Sequence, residues 1–446
     1  MRRALLLLQL PFALATATPA AAADWPQWQG PDRDGVWRET GILEKFPAGG
    51  PPRRWRTPIA AGYSSPAVAA GRIYLLDRPT SQVRGNPGNA LSRTAEAGRE
   101  RVLCLDEADG RVLWQFEYAC DYRISYASGP RASPTVAGGR VFTLGAEGHL
   151  HCLDAATGRV LWAKEFLRDF GAKTQLWGFA AAPFVDGDRV ICLVGGTGQT
   201  VMAFDAATGA ERWRSGTATD PGYASPILIE AGGVRQLVVW DTEELRGLDP
   251  ATGRAYWSVP FKTKLGHAIA TPRRHGEFLF VTAFFDGSKL LRLAPDRPAV
   301  SEVWSIRGPS ENRPEGLHGL MSTPFLHDGH IYGVCSFGHL RGLKLATGER
   351  LWETLAPTTA AGRPARWATA FLVRHEDRFF LYNELGDLLI VRLTPAGYEE
   401  LSRAHLLDPT NRAGGRPVHW SHPAFANRRI YVRNDEAIAC FDLRAP

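Results

Sequence analysis

HCLDAATGRVLW, residues 151–162, holds a strand, a tight turn and the start of a returning strand. Cys152 and Leu153 end an apolar strand. Asp154 can accept hydrogen bonds from the backbone just ahead of it, and Gly158 can take a positive φ, so residues 154–158 turn the chain. Val160-Leu161-Trp162 then begins the next strand. The phrase recurs as LCLDEADGRVLW (103–114), MAFDAATGAERW (202–213), RGLDPATGRAYW (246–257) and RGLKLATGERLW (341–352). A worn copy ends at Trp304, and a more worn one lies near residues 389–401.

The closing tryptophans, Trp55, Trp114, Trp162, Trp213, Trp257, Trp304 and Trp352, are spaced by 59, 48, 51, 44, 47 and 48 residues. That period belongs to blade-type repeats. Seven of the chain's 14 tryptophans at one repeat position read as packing between neighbouring sheets. A second phrase precedes the first: a Ser-Pro or a variant, a strand, a turn and another strand. Its prolines are Pro66, Pro134, Pro183, Pro226, Pro272, Pro324 and Pro423, and the unit holding Phe371 keeps the pattern without one. Proline has no amide donor, so it belongs at the start of a strand. Eight units of four short strands predict an all-β, eight-bladed β-propeller. The last strands lack a following Trp strand, and the Trp55 strand lacks partners before it. Joining them closes the ring and removes two raw sheet edges.

Of 446 residues, 44% are apolar and 22% charged, as in ordinary globular proteins. Met1-Arg2-Arg3, a short apolar run and Ala20–Ala23 read as a secretory signal peptide, residues 1–23. Residues 24–54 then form an N-terminal extension, and residues 55–446 the propeller. The run at the start is too short to span a membrane, and Pro11 and Pro19 interrupt it. The net charge is +6, including Arg2 and Arg3, too small to indicate nucleic acid. The expectation is a soluble monomer, periplasmic or secreted. Cys104, Cys152 and Cys440 share one repeat position, so they read as small buried thiols, and no spacing of Cys or His suggests a metal site.

The Ala-Thr-Gly-x-x-x-Trp phrase resembles the repeat of pyrroloquinoline-quinone-type propellers. These include the quinoprotein alcohol dehydrogenases and the lipoprotein that assists outer-membrane protein assembly. The opening DWPQWQGPDRDG (24–35) is similar to the start of a large group of exported propellers of this type. The resemblance spans about residues 24–446 and implies the fold; fold alone does not fix function. It also implies what the enzymes would need: pyrroloquinoline quinone, a Ca²⁺ held by carboxylates and an amide, a carboxylate base and a pair of adjacent cysteines. This chain has no Cys-Cys pair, and the nearest acids, Glu315 and Asp220, stand apart. A histidine base such as His267 or His318 is the remaining option for catalysis.

In a four-stranded blade the innermost strand lines the axis, and the stretch before each Ser-Pro lies at the mouth of the channel. Those stretches contain Tyr63, Arg131, Trp177, Tyr223, His267, His318, Arg366, Trp367, His419, Trp420 and His422. Aromatic and basic residues converging on a funnel suit a planar or anionic ligand; they equally suit a channel plugged by its own side chains. A long insertion, residues 77–101, should hang over the same mouth, joined by the loop 307–317. The sequence therefore reads as an exported, non-catalytic binding or scaffold protein, without cofactor or metal. Its partner would be an envelope protein, a peptide or a small ligand at the funnel face. The rival class is a quinone- and Ca²⁺-dependent dehydrogenase of alcohols or sugars.

Overall fold

The computed structural model describes residues 23–79, 89–218, 220–359 and 362–446. The expected signal peptide falls on residues 1–22, outside these, apart from its last residue. Eight four-stranded antiparallel sheets follow one another. Their innermost strands are Ala67–Ala69 (blade 1), Thr135–Ala137 (2), Phe184–Asp186 (3), Ile227–Ala231 (4), Arg273–His275 (5), Phe325–His327 (6), Ala370–His375 (7) and Ala424–Ala426 (8). Blades 1 to 7 each run inside to outside in chain order. Blade 8 takes three strands from the C-terminus and its outermost strand, Arg53–Pro58, from the N-terminus, which pairs with Ala437–Asp442. The fold is an eight-bladed β-propeller with a closed ring. Among the described residues no helix is long and apolar enough to cross a membrane.

The core lies between successive sheets. One cluster joins Phe142, Leu150, Cys152 and Trp162 of blade 2 to Val190, Cys192, Met202 and Phe204 of blade 3. The repeated tryptophan is the joint. Trp55, Trp114, Trp162, Trp213, Trp304 and Trp352 each donate the indole N–H to a backbone carbonyl in the next blade, at 2.8–3.2 Å. Each such bond contributes about 1 kcal/mol net, beside the apolar area the ring buries. Trp257 departs from the pattern and bonds Gln236 Oε1 of its own blade.

The outer hairpins carry a register shift at a common point, next to the tryptophan, as at Cys104/Leu105 and Cys152/Leu153. The bulge sets each indole opposite one residue of the neighbouring strand: Cys104 faces Trp114, Cys152 faces Trp162 and Cys440 faces Trp55. The same position holds Ala203, Gly247 and Gly342 in other blades and Leu290 opposite Trp304, so the shared cysteine belongs to a mostly small-residue position. All six cysteines are free and buried. At the closing seam the Glu107 carboxylate accepts hydrogen bonds from Asn427 (2.8 and 2.9 Å) and Tyr431 (2.7 Å) of blade 8.

The segment 24–35 runs into the axis. Trp25 pairs with Val68, and Pro26 accepts from the Val136 amide. The buried Arg33 guanidinium donates to the carbonyls of Pro183 and Pro226 (3.1 Å) and to Thr135 Oγ1 (3.4 Å), and it lies over the Phe184 ring. A single head group touching the inner strands of blades 2, 3 and 4 must sit at the centre of the ring. Arg273 of blade 5 closes the ring of contacts by donating to Arg33 O (2.9 Å) and Pro324 O (3.1 Å). Burial lowers the pKa of Arg33 to about 9.

Candidate funnel site

Above this plug lies a cavity of about 400 Å³. Its floor includes Trp28, whose indole N–H donates to Thr271 Oγ1 at 2.9 Å and whose ring meets His422 edge-on at 5.0 Å. Of the eleven residues that the sequence points to, nine line this one cavity: Tyr63, Arg131, Trp177, Tyr223, His267, Arg366, Trp367, Trp420 and His422. His318 and His419 depart from that expectation and are packed behind the wall. His318 shares its Nδ1 with Phe284 O (2.9 Å) and accepts from the Gly308 amide at Nε2 (3.2 Å). His419 meets the Tyr382 hydroxyl at 3.1 Å. Both are buried structural histidines.

The wall on the blade 3 to blade 5 side is a ladder of rings. Trp177 stacks on His267 (5.0 Å, 27°), and His267 on Phe285 (4.9 Å, 5°). Tyr223 meets Trp177 at 5.8 Å with a steep tilt. Burial, then Arg366, lowers the His267 pKa to about 4, and burial does the same for His422, so both are neutral at pH 7. The positive charge of the mouth therefore belongs to other groups. Arg131 donates to the carbonyls of Gly129, Ser125 (each 2.9 Å) and Tyr126, and packs over Tyr63. Arg366 lies over Trp367 and pairs with Glu311 at 2.7 Å. The Lys264 ammonium stands 5.0 Å from the Phe285 ring centre. Among the described residues no carboxylate pairs with Arg131 or Lys264, and none lines the cavity.

Three lining residues that are not glycine hold a left-handed backbone: Tyr126 (φ 54°), Leu265 (φ 56°) and Trp367 (φ 67°). Bulky residues seldom adopt it, and such strain collects at binding sites. Arg131 fixes the first by binding the carbonyls on either side, and the Trp367 amide is held by Ser336 O at 2.9 Å. The rim is apolar. Leu91 and Leu265 are 50% and 45% exposed, the two highest values among the exposed large hydrophobic residues.

Sequence reasoning passed over several lining residues. Trp28 is contributed by the extension, Tyr126 and Leu265 by the same stretches that hold Arg131 and His267, and Phe285 by a turn after the second strand of blade 5. The insertion 77–101 does reach the mouth: Asn89, Ala90 and Leu91 line it, while residues 80–88 lie outside the described residues. Glu384 was also missed. Its buried carboxylate accepts from Trp420 Nε1 (3.0 Å) and pairs with Arg416 (3.1 Å), and burial lifts its pKa to about 7.

The cofactor that the resemblance implies meets a poor donor set here. Ca²⁺ wants six to eight oxygen ligands, yet the lining contains no Asp or Glu. Asp220 is engaged by Gln175 and the Gly222 amide, and Glu315 is exposed. Among the described residues no group of three or more His, Cys, Asp or Glu side chains is disposed to hold a metal ion.

A family model described as outer membrane protein assembly factor BamB matches residues 98–240 and 241–445. The solved structure of BamB from Moraxella catarrhalis is similar over 87% of this chain and 97% of that one, with 16% identity and a TM-score of 0.53. A europium-containing methanol dehydrogenase is similar over 92% and 89%, with 12% identity and a TM-score of 0.60. The quinohemoprotein alcohol dehydrogenase from Comamonas testosteroni is similar over 94% and 80%, with 13% identity and a TM-score of 0.59. At these identities the likeness is one of fold. No curated protein matches.

Proposed function

The chain belongs to the outer membrane protein assembly factor BamB family, and from that premise we propose that it is an exported, non-catalytic scaffold of the cell envelope that docks a partner protein at the funnel mouth. The observation that carries this reading is the rim. Leu91 and Leu265 expose apolar side chains around a strained, aromatic well. Exposed apolar side chains beside an aromatic well suit a protein-binding hot spot, in which a protruding side chain fills the pocket and its surroundings exclude water. A site for a small metabolite has no need of such a rim. The poverty of oxygen ligands in the well favours binding over quinone chemistry.

Photocrosslinking tests this. A benzophenone side chain placed at position 265 should capture a discrete envelope protein. The same group at Val303, exposed on the outermost strand of blade 5, should not. Equal crosslinking from both positions would overturn the reading.

A further inference from the structure

We propose that the well takes an acidic–aromatic peptide segment: one aromatic side chain of a partner loop, flanked by carboxylates. The proposal rests on the docking reading above and specifies the occupant.

The size of the well sets the scale. A volume of about 400 Å³ lies at the small end of ligand pockets, room for an aromatic side chain and its neighbour rather than for a folded element. The Trp177–His267–Phe285 ladder offers ring faces and edges to a guest ring, which gains from offset or edge-on contact beyond the area it buries. Charge fixes the flanks. Arg131, Lys264 and Arg366 stand around the mouth, and only Arg366 has an ion-pair partner, Glu311, among the described residues. The nearby acids are each engaged: Glu384 with Arg416 and Trp420, Asp220 with Gln175, and Asp286 with Arg307 at 3.5 Å and with the Lys264 backbone amide at 2.8 Å. A cationic segment would meet like charge at Arg131 and Lys264, and a carboxylate would meet its complement there.

Three capped peptides, Ac-Asp-Phe-Asp-NH2, Ac-Lys-Phe-Lys-NH2 and Ac-Asp-Ala-Asp-NH2, and the free acid phenylacetate are titrated into the full chain by calorimetry and tryptophan fluorescence. The acidic–aromatic peptide should bind at least 10-fold more tightly than the other three and weaken as salt rises. Lys264→Gln and Arg366→Gln, both on exposed side chains, should each weaken it about 3- to 10-fold. Equal or tighter binding of the basic peptide overturns the proposal. So does phenylacetate binding as tightly as the peptide, which would mark a small-molecule site. If no peptide binds while position 265 still crosslinks, the occupant is wrong and the docking reading stands; if both fail, both fall.

Discussion

Trp28 and Thr271 are 243 residues apart and joined by one hydrogen bond of 2.9 Å, which sets an N-terminal indole into the floor of the funnel. Trp28→Ala should remove that bond and the edge contact with His422, at a cost of about 1–2 kcal/mol in urea unfolding. Trp28→Phe should recover the ring contact without the bond. Unchanged stability in both variants would mean that the segment 24–35 does not seal the axis.

The repeated turn glycine is explained by the preceding blade. Gly158 holds φ +73°, and a Cβ there would fall 2.5 Å from the indole of Trp114. Gly139, in the same blade, holds φ +72° with nothing within 4 Å. Gly139→Ala should cost only the backbone term, about 1 kcal/mol, whereas Gly158→Ala should cost at least about 2 kcal/mol more. Thermal unfolding of the pair isolates the packing between blades. Equal losses would remove the tryptophan from its place as the joint.

Glu384 predicts a pH dependence. Its folded pKa is raised to about 7, so the native state binds this proton more tightly than the unfolded chain does. The contribution is present below the ordinary glutamate range and is lost as pH rises through about 7. The buried histidines His267, His419 and His422, all lowered, act in the opposite sense and cost stability as pH falls below about 6.5. The difference between the native chain and Glu384→Gln separates the two. From pH 5 to pH 8 the native chain should lose stability relative to the variant, by on the order of 2–3 kcal/mol. A flat difference would mean that Glu384 titrates normally.

The ring was legible because its signal is local and repeated. Asp154, Gly158 and Trp162 lie within one phrase, and the seven aligned prolines together with the unit holding Phe371 give the eight blades. The mouth was legible in part, since the stretch before each Ser-Pro must reach it. Side-chain direction is not written in position: His318 and His419 occupy those stretches but turn into the wall, toward Phe284 and Tyr382. The place of residues 24–35 depends on contacts from Arg33 to Pro226 and from Trp28 to Thr271, far apart in the chain, and no local pattern encodes them. Glu384 lies in an ordinary-looking turn after the second strand of blade 7; the same kind of turn was read for blade 1 only because it is long there.

The funnel mouth as a docking surface can be tested with thiol labelling, because all six native cysteines are free and buried. Burial also raises the thiol pKa of Cys104 to about 11 and those of Cys152 and Cys440 to about 12. A maleimide should therefore pass over the native chain and react with Leu265→Cys or Val303→Cys at similar rates in the purified protein. In intact envelopes the account predicts that labelling at position 265 slows at least 10-fold while position 303 is unchanged. Equal labelling at the two positions in envelopes would contradict it.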